Sequence, residues 1–333
     1  MRIACIGGGT GLYTLLTGLR TVFPEVELMA IVNMTDNGGS TGRLRDEFGY
    51  LPPGDVRRCL VALSEVPSEM RQLMEHRYVG GNDDGLKGHV IGNLLLTAFK
   101  EMTGGEYQAI EAMERLLRIQ GKVYPVTLDN THLVAHLKDG SVVSGETNID
   151  LPKNPRAPID YITLSSQAEL YPPTRDALLS ADVIVIGPGD LYTSIVPNLL
   201  VSGMSGTLRL AQDNGARVVY VVNTMTKKGE TDDYTAEEFI SVISSTIAPA
   251  TITDVIINNA DLEWYQEMAY EKEAAVQVTY NLSYIVKHHP EVRLFVAPLV
   301  SDGCFARHDP VKLARCLFDY SPGTAKNFYE NRK

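Results

Sequence analysis

The chain has 333 residues, of which 44% are hydrophobic and 21% charged, enough apolar material for a large α/β domain. Its formal net charge of -11 argues against a nucleic-acid-binding surface, which needs clustered Lys and Arg. No run approaches the ~20 apolar residues of a membrane span, and Cys5, Cys59, Cys304 and Cys316 are too scattered for a disulfide framework. A cytoplasmic protein with no membrane insertion is expected. Met1 and Arg2 lead straight into an apolar run that ends in glycines, so no signal peptide is expected.

In chain order, residues 3–6 read as a buried strand, followed by a glycine loop and a helix over about 11–23. Residues 28–33 read as the second strand. The stretch 55–120 is predicted as a helical excursion, with Asp55 as an N-cap and Gly104-Gly105 separating two helices. Residues 122–150 are predicted as an antiparallel β-hairpin insertion, its turn at Asp139-Gly140. Pro152, Pro155 and Pro158 mark the return to the main sheet. Further strands are predicted at 159–164, 183–187, 217–223, 254–258 and 293–299, with helices at 175–180, 205–214, 235–246 and 310–320. This alternation predicts a Rossmann-like doubly wound, mostly parallel α/β sheet in one nucleotide-binding domain spanning 1–330.

Polar residues gather where strands end. Gly7-Gly8-Gly9-Thr10-Gly11 follows the first strand and opens a helix. Glycines admit a phosphate close to main-chain N–H groups, and the helix N-terminus favours the negative charge. Neither standard motif fits, because Leu12 stands where a G-x-G-x-x-G frame needs glycine and no Gly-Lys-Ser/Thr follows. A tight structural turn is the alternative. After the second strand comes a loop holding Asp36, Asn37, Gly39, Ser40 and Arg43. Asp36 is placed to hold a ribose, a nucleophile or a metal, and Arg43 to meet an anion. A plain Asx turn would also explain Asp36-Asn37.

His89 and Asn93 are four apart and share a face if both are helical, as ligand contacts or as a satisfied buried pair. Gly187, Gly189, Asp190, Leu191, Thr193 and Ser194 follow a middle strand, and Asn223 and Thr226 follow the next. These are binding-edge candidates. The loop 227–233 is a candidate for ordering over a bound ligand. Arg307, in a late strand-end loop, is a candidate for phosphate or sugar, with a surface salt bridge as the alternative. His132 and His136 would lie about 13 Å apart on a strand, too far to share zinc.

Together, Gly7–Leu12, Asp36–Arg43, Pro52–Arg57, Gly88–Asn93, Gly187–Ser194 and Gly229–Asp232 resemble the YvcK/CofD superfamily, closest to its bacterial gluconeogenesis-factor branch. The resemblance runs from residue 3 to about 320. It implies a Rossmann-like fold and a regulatory factor that binds a UDP-sugar and supports cell shape during gluconeogenic growth. The other branch implies an enzyme, 2-phospho-L-lactate transferase. Its acidic cluster after the second strand would correspond to Asp36 and Asn37, with Asn37 offering only a neutral oxygen for Mg²⁺. On this reading no cofactor is required. The ligand is a UDP-sugar, with NAD or GDP as alternatives, and Mg²⁺ is admitted at Asp36. An NAD-dependent oxidoreductase ranks third, because the acid falls 27 residues after Gly9 instead of ~20. A protein partner and a homo-oligomer are also expected.

Overall fold

The computed structural model describes residues 1–80, 85–152, 154–271 and 273–318. Seven strands form a parallel sheet in the order β10-β9-β8-β7-β1-β2-β3. They are β1 (Arg2–Gly7), β2 (Glu27–Val32), β3 (Lys122–Pro125), β7 (Val183–Ile186), β8 (Arg217–Val221), β9 (Asp254–Asn258) and β10 (Arg293–Ala297). Three more, β4 (Leu133–Leu137), β5 (Val142–Ser144) and β6 (Ile159–Leu164), form a small antiparallel sheet ordered β5-β4-β6. One buried apolar cluster runs through both sheets, from Ile3 and Val185 to Leu133 and Ile162. The doubly wound prediction holds.

The helices, in chain order, begin with α1 (Gly9–Val22), α2 (Gly39–Phe48), α3 (Pro53–Leu63) and α4 (Ser68–Glu75). Next are α5 (Ile91–Thr103), α6 (Glu106–Leu117), α7 (Glu146–Asp150), α8 (Pro172–Ser180) and α9 (Val196–Leu199). The last are α10 (Met204–Asp213), α11 (Ala236–Ile247), α12 (Trp264–Glu271), α13 (Leu282–His288) and α14 (Pro310–Phe318). The end of the last predicted helix, and of the predicted domain, falls outside the described residues.

Four expectations need correction. The strand at 159–164 belongs to the small sheet, pairing antiparallel with β4. Its Asp160 and Tyr161 are exposed, whereas a strand covered on both faces, such as β7 with its Val-Ile-Val-Ile run, carries apolar residues throughout. Residues 122–125, placed in the hairpin, instead form the parallel edge strand beside β2, where terminal Pro125 costs no ladder bond. The predicted loop after β2 is largely helix α2. Asp55 is not an N-cap: Pro52 holds that position, Pro53 starts α3, and Asp55 sits buried in its first turn. The hairpin turn at Asp139-Gly140 and the break at Gly104-Gly105 are where the sequence put them.

The sheet order locates the crevice. From β1 the chain runs out through β2 to β3, then crosses back to β7 on the other side of β1. Ligands in such sheets bind at the carboxyl ends of the strands where this reversal occurs. The two loops meeting there are packed tightly: a Cβ on Gly11 would overlap the Pro188 carbonyl.

A cleft of two helix N-termini, arginines and buried carboxylates

A cleft of about 590 Å³ opens at this edge. Its floor is the first glycine loop, with Gly8, Gly9, Thr10 and Gly11 all on the wall. Gly9 adopts φ +60°, which only glycine accepts readily. Asp36, Gly39 and Ser40 form the side toward β2, and Asn93 reaches in from α5. From the β7 side come Gly189, Asp190, Thr193 and Ser194, and from β8 Asn223 and Thr226. Asn223 ties the floor together, donating to the Gly189 carbonyl at 2.8 Å. Arg307 stands exposed at the mouth with its guanidinium 5.5 Å from the Phe305 ring centre. It makes no ion pair among the described residues.

Five predicted residues do not line the cleft. Asn37 accepts from the Thr147 N–H at 2.9 Å and its hydroxyl at 3.0 Å, bracing the start of α7. Arg43 donates to the Lys87 carbonyl at 2.8 Å. Leu191 is core, Gly187 lies against β1 and Leu15, and His89 sits behind the wall, its Nδ1 3.2 Å from the Ser40 hydroxyl. His89 and Asn93 do meet, but through Ser40, since His89 precedes the helix and Asn93 Nδ2 lies 3.3 Å from the same hydroxyl. The Asx turn is present as well: Asp36 accepts from the Gly38 N–H at 2.8 Å.

The folded chain brings in Arg57 and Arg58, whose helix start the sequence offers as a phosphate site or a solvated charge pair, and further residues that no motif flagged. Arg57, Arg58 and Arg77 line the cleft, and so do Glu146 and Asp150 of α7, with Glu146 beside Gly38 and Arg77 beside the adjacent Gly39. Tyr270 lies near Arg307, and His308 is buried, which pushes its pKa down to about 4 and keeps it neutral. Asp55 Oδ2 lies against Gly8, where the Gly9 N–H favours its ionised form, so a carboxylate already rests at the N-terminus of α1. Burial and nearby Asp36 push Asp55 up to about 6. Burial, then Asp36 and Asp150, push Glu146 up to about 8. Burial also raises Asp36, against the pull of the Gly38 N–H, Thr41, Arg58 and Arg45.

The loop after β8 is anchored in this structure. Lys227 is bonded to Asp150, lies 2.6 Å from Asp190 and 3.6 Å from Glu230. Burial disfavours its ammonium, but Glu230, Asp190 and Asp150 more than offset this and raise its pKa. Glu230 accepts from the N–H groups of Tyr192 at 2.6 Å and Thr193 at 3.2 Å, at the start of a wide helical turn over Leu191–Ile195. Burial and Asp190 push Glu230 up to about 7. Asp150, Asp190 and Glu230 have the spacing of a metal-ligand trio, with Lys227 supplying the positive charge.

Among the described residues no helix is long and apolar enough to cross a membrane.

Residues 3–299 match the family described as 2-phospho-L-lactate transferase CofD. A gluconeogenesis factor of Halalkalibacterium halodurans is 37% identical over 330 residues, covering 98% of each chain. One from Bacillus subtilis is 38% identical over 319 residues, covering 96% of this chain and 97% of that one. The crystal structure of a Bacillus halodurans protein of the UPF0052 family superposes with a TM-score of 0.88 at 37% identity, covering 94% of this chain and 97% of that one. With a family match across the sheet and relatives of this identity along nearly its whole length, the chain belongs to the CofD family, on its gluconeogenesis-factor branch.

Proposed function

We propose that this chain is a regulatory factor that binds a nucleotide sugar of the UDP-sugar class and supports cell morphogenesis during gluconeogenic growth. The observation that carries the reading is the cleft at the β1/β7 reversal, about 590 Å³ in volume and lined by glycine-loop backbone and arginines. The names of the relatives support the gluconeogenic setting. On this reading the diphosphate lies over the glycine loop and α1. Gly9→Val would force a β-branched residue into φ +60° and is expected to abolish UDP-N-acetylglucosamine binding in calorimetry while the protein stays folded. Unchanged affinity would remove the diphosphate from this loop.

Arg307 is an exposed cation at the mouth, free of a carboxylate partner among the described residues. Arg307→Ala is expected to weaken UDP-sugar binding about tenfold, as loss of one charge-assisted contact implies. Equal affinities in parent and variant would leave Arg307 a surface residue.

The transferase reading is favoured by one feature, the pairing of half-buried Asp36 with buried Asp55. These are hard oxygen donors of the kind a divalent cation takes; burial is the main cause raising each pKa, and Asp36 raises that of Asp55 further. Mg²⁺ held there would neutralise a diphosphate and polarise its phosphoryl oxygens. Asn37, braced against α7, would not take part. Our reading expects no phospholactyl transfer when the protein is incubated with Mg²⁺, a guanosine diphospho-lactate donor and a deazaflavin alcohol. Multiple turnovers seen by mass spectrometry would overturn the regulatory reading.

A further inference from the structure

We propose that the cleft contains a second anion-binding subsite, at the N-terminus of α2 between Arg57 and Arg77, for a phosphate or carboxylate group distinct from the diphosphate. The inference extends the nucleotide-sugar reading by giving the same cleft a second kind of ligand group.

Both helix N-termini in the cleft have a carboxylate beside them. At α1 it is Asp55, whose Oδ2 lies against Gly8. At α2, a helix of ten residues, the N-cap is Gly38, whose own N–H donates to Asp36 at 2.8 Å, with Glu146 Oε2 also close to Gly38. Gly39, Ser40 and Thr41, which follow it, line the cleft, and their N–H groups have no acceptor among the described residues. Gly39 adopts φ +48° with no side chain to shield them, and Arg77 Nη1 lies beside it.

Arg57 is the independent observation. It is only 7% exposed and lines the cleft. Its Nε donates to Asn93 Oδ1 at 2.9 Å, which fixes the guanidinium plane. Its two Nη groups have no partner among the described residues. Burial and then Arg58 pull its pKa down to about 10, with Glu75 and Asp55 opposing the shift and Arg77 adding to it. An oriented, crowded guanidinium of this kind is stabilised by a bidentate oxyanion. Arg77 spends one nitrogen on the Gly88 carbonyl at 2.7 Å and is otherwise exposed, so it can close over the same anion. Ser40, held by His89 and Asn93, keeps the α2 N-terminus in place behind it.

The anion has two sources: a separate small molecule, or an acidic group carried by the sugar. Inorganic phosphate is titrated by calorimetry into the full-length protein, free and saturated with UDP-glucose. UDP-glucuronate is compared with UDP-glucose in parallel. Arg77→Ala, an exposed change, and Arg57→Lys, which keeps charge but loses the fork, are run beside Gly9→Val. A separate molecule is indicated if phosphate binds the UDP-glucose-saturated protein and Arg77→Ala and Arg57→Lys weaken it at least tenfold. A sugar-borne group is indicated if UDP-glucuronate binds at least tenfold tighter than UDP-glucose and Arg77→Ala erases the difference. The subsite is refuted if phosphate affinity ignores both arginine variants and UDP-glucuronate shows no advantage. Should no UDP-sugar bind at all, the ligand reading fails alone, because phosphate titrated into the free protein and into Gly9→Val still reads the α2 subsite.

Discussion

UDP-sugar affinity should fall about tenfold or more between pH 6 and pH 8 in buffer free of divalent cations. A diphosphate diester carries no ionising group in that range, so the dependence comes from the protein. Asp55, pushed up to about 6, and Glu146, pushed up to about 8, are both part-protonated within the window. A bound diphosphate adds negative charge beside them and raises both pKa values further. Binding then takes up protons, and linkage makes affinity drop as pH rises, by up to tenfold per unit for each proton taken up. Calorimetry in buffers of different ionisation enthalpy measures that uptake directly. Asp55→Asn should flatten the lower part of the profile and Glu146→Gln the upper part. An affinity that stays level or climbs across this range would mean the diphosphate lies away from the carboxylates.

Lys227→Met is expected to cost about 3 kcal/mol of stability in urea denaturation at pH 8. The variant leaves Asp150, Asp190 and Glu230 facing one another with no cation, and breaking a buried pair by removing one partner costs ~3–5 kcal/mol. The lower end applies because Lys227 is 27% exposed and Asp190 42% exposed, where solvent screens the loss. The sign with pH follows from Glu230, whose folded pKa is already raised to about 7 and would rise further without Lys227. A carboxyl that stays protonated needs no counter-charge, so the penalty should shrink toward pH 6. Adding Glu230→Gln to Lys227→Met should recover part of it, since Gln still accepts from Tyr192 and Thr193. A penalty below about 1 kcal/mol at pH 8 would show the cluster to be solvated rather than structural.

Several elements were legible because local rules settle them. The run Val183–Ile186 is apolar at every position, as a strand covered on both faces must be, and glycines follow it directly. Helix α2 was missed for the converse reason. Gly38, Gly39 and Gly42 lower helix propensity across its first turn. What holds that turn is tertiary: Ser40 is engaged by His89 and Asn93, and Gly42 packs so closely that a Cβ would overlap the Asn37 carbonyl. The five-residue α7 is too short to announce itself, yet it brings Glu146 and Asp150 to the cleft.

The sequence by itself determined most strands of the parallel sheet, the helices with long apolar periods, and the glycine loops that must fall at strand ends. Hydrophobic period and the steric freedom of glycine act over a few neighbouring residues, and so they can be read along the chain. Only the tertiary structure decided which charges share the cleft. Arg43 was the arginine expected there, but it turns to Lys87, while Arg77, more than 30 residues on, comes to Gly39. Asn37 was expected beside Asp36 in the site, but it braces α7 and leaves Asp55 and Glu146 as the neighbouring carboxylates. Coulomb energy and desolvation depend on distance and burial in space, and neither scales with separation along the chain.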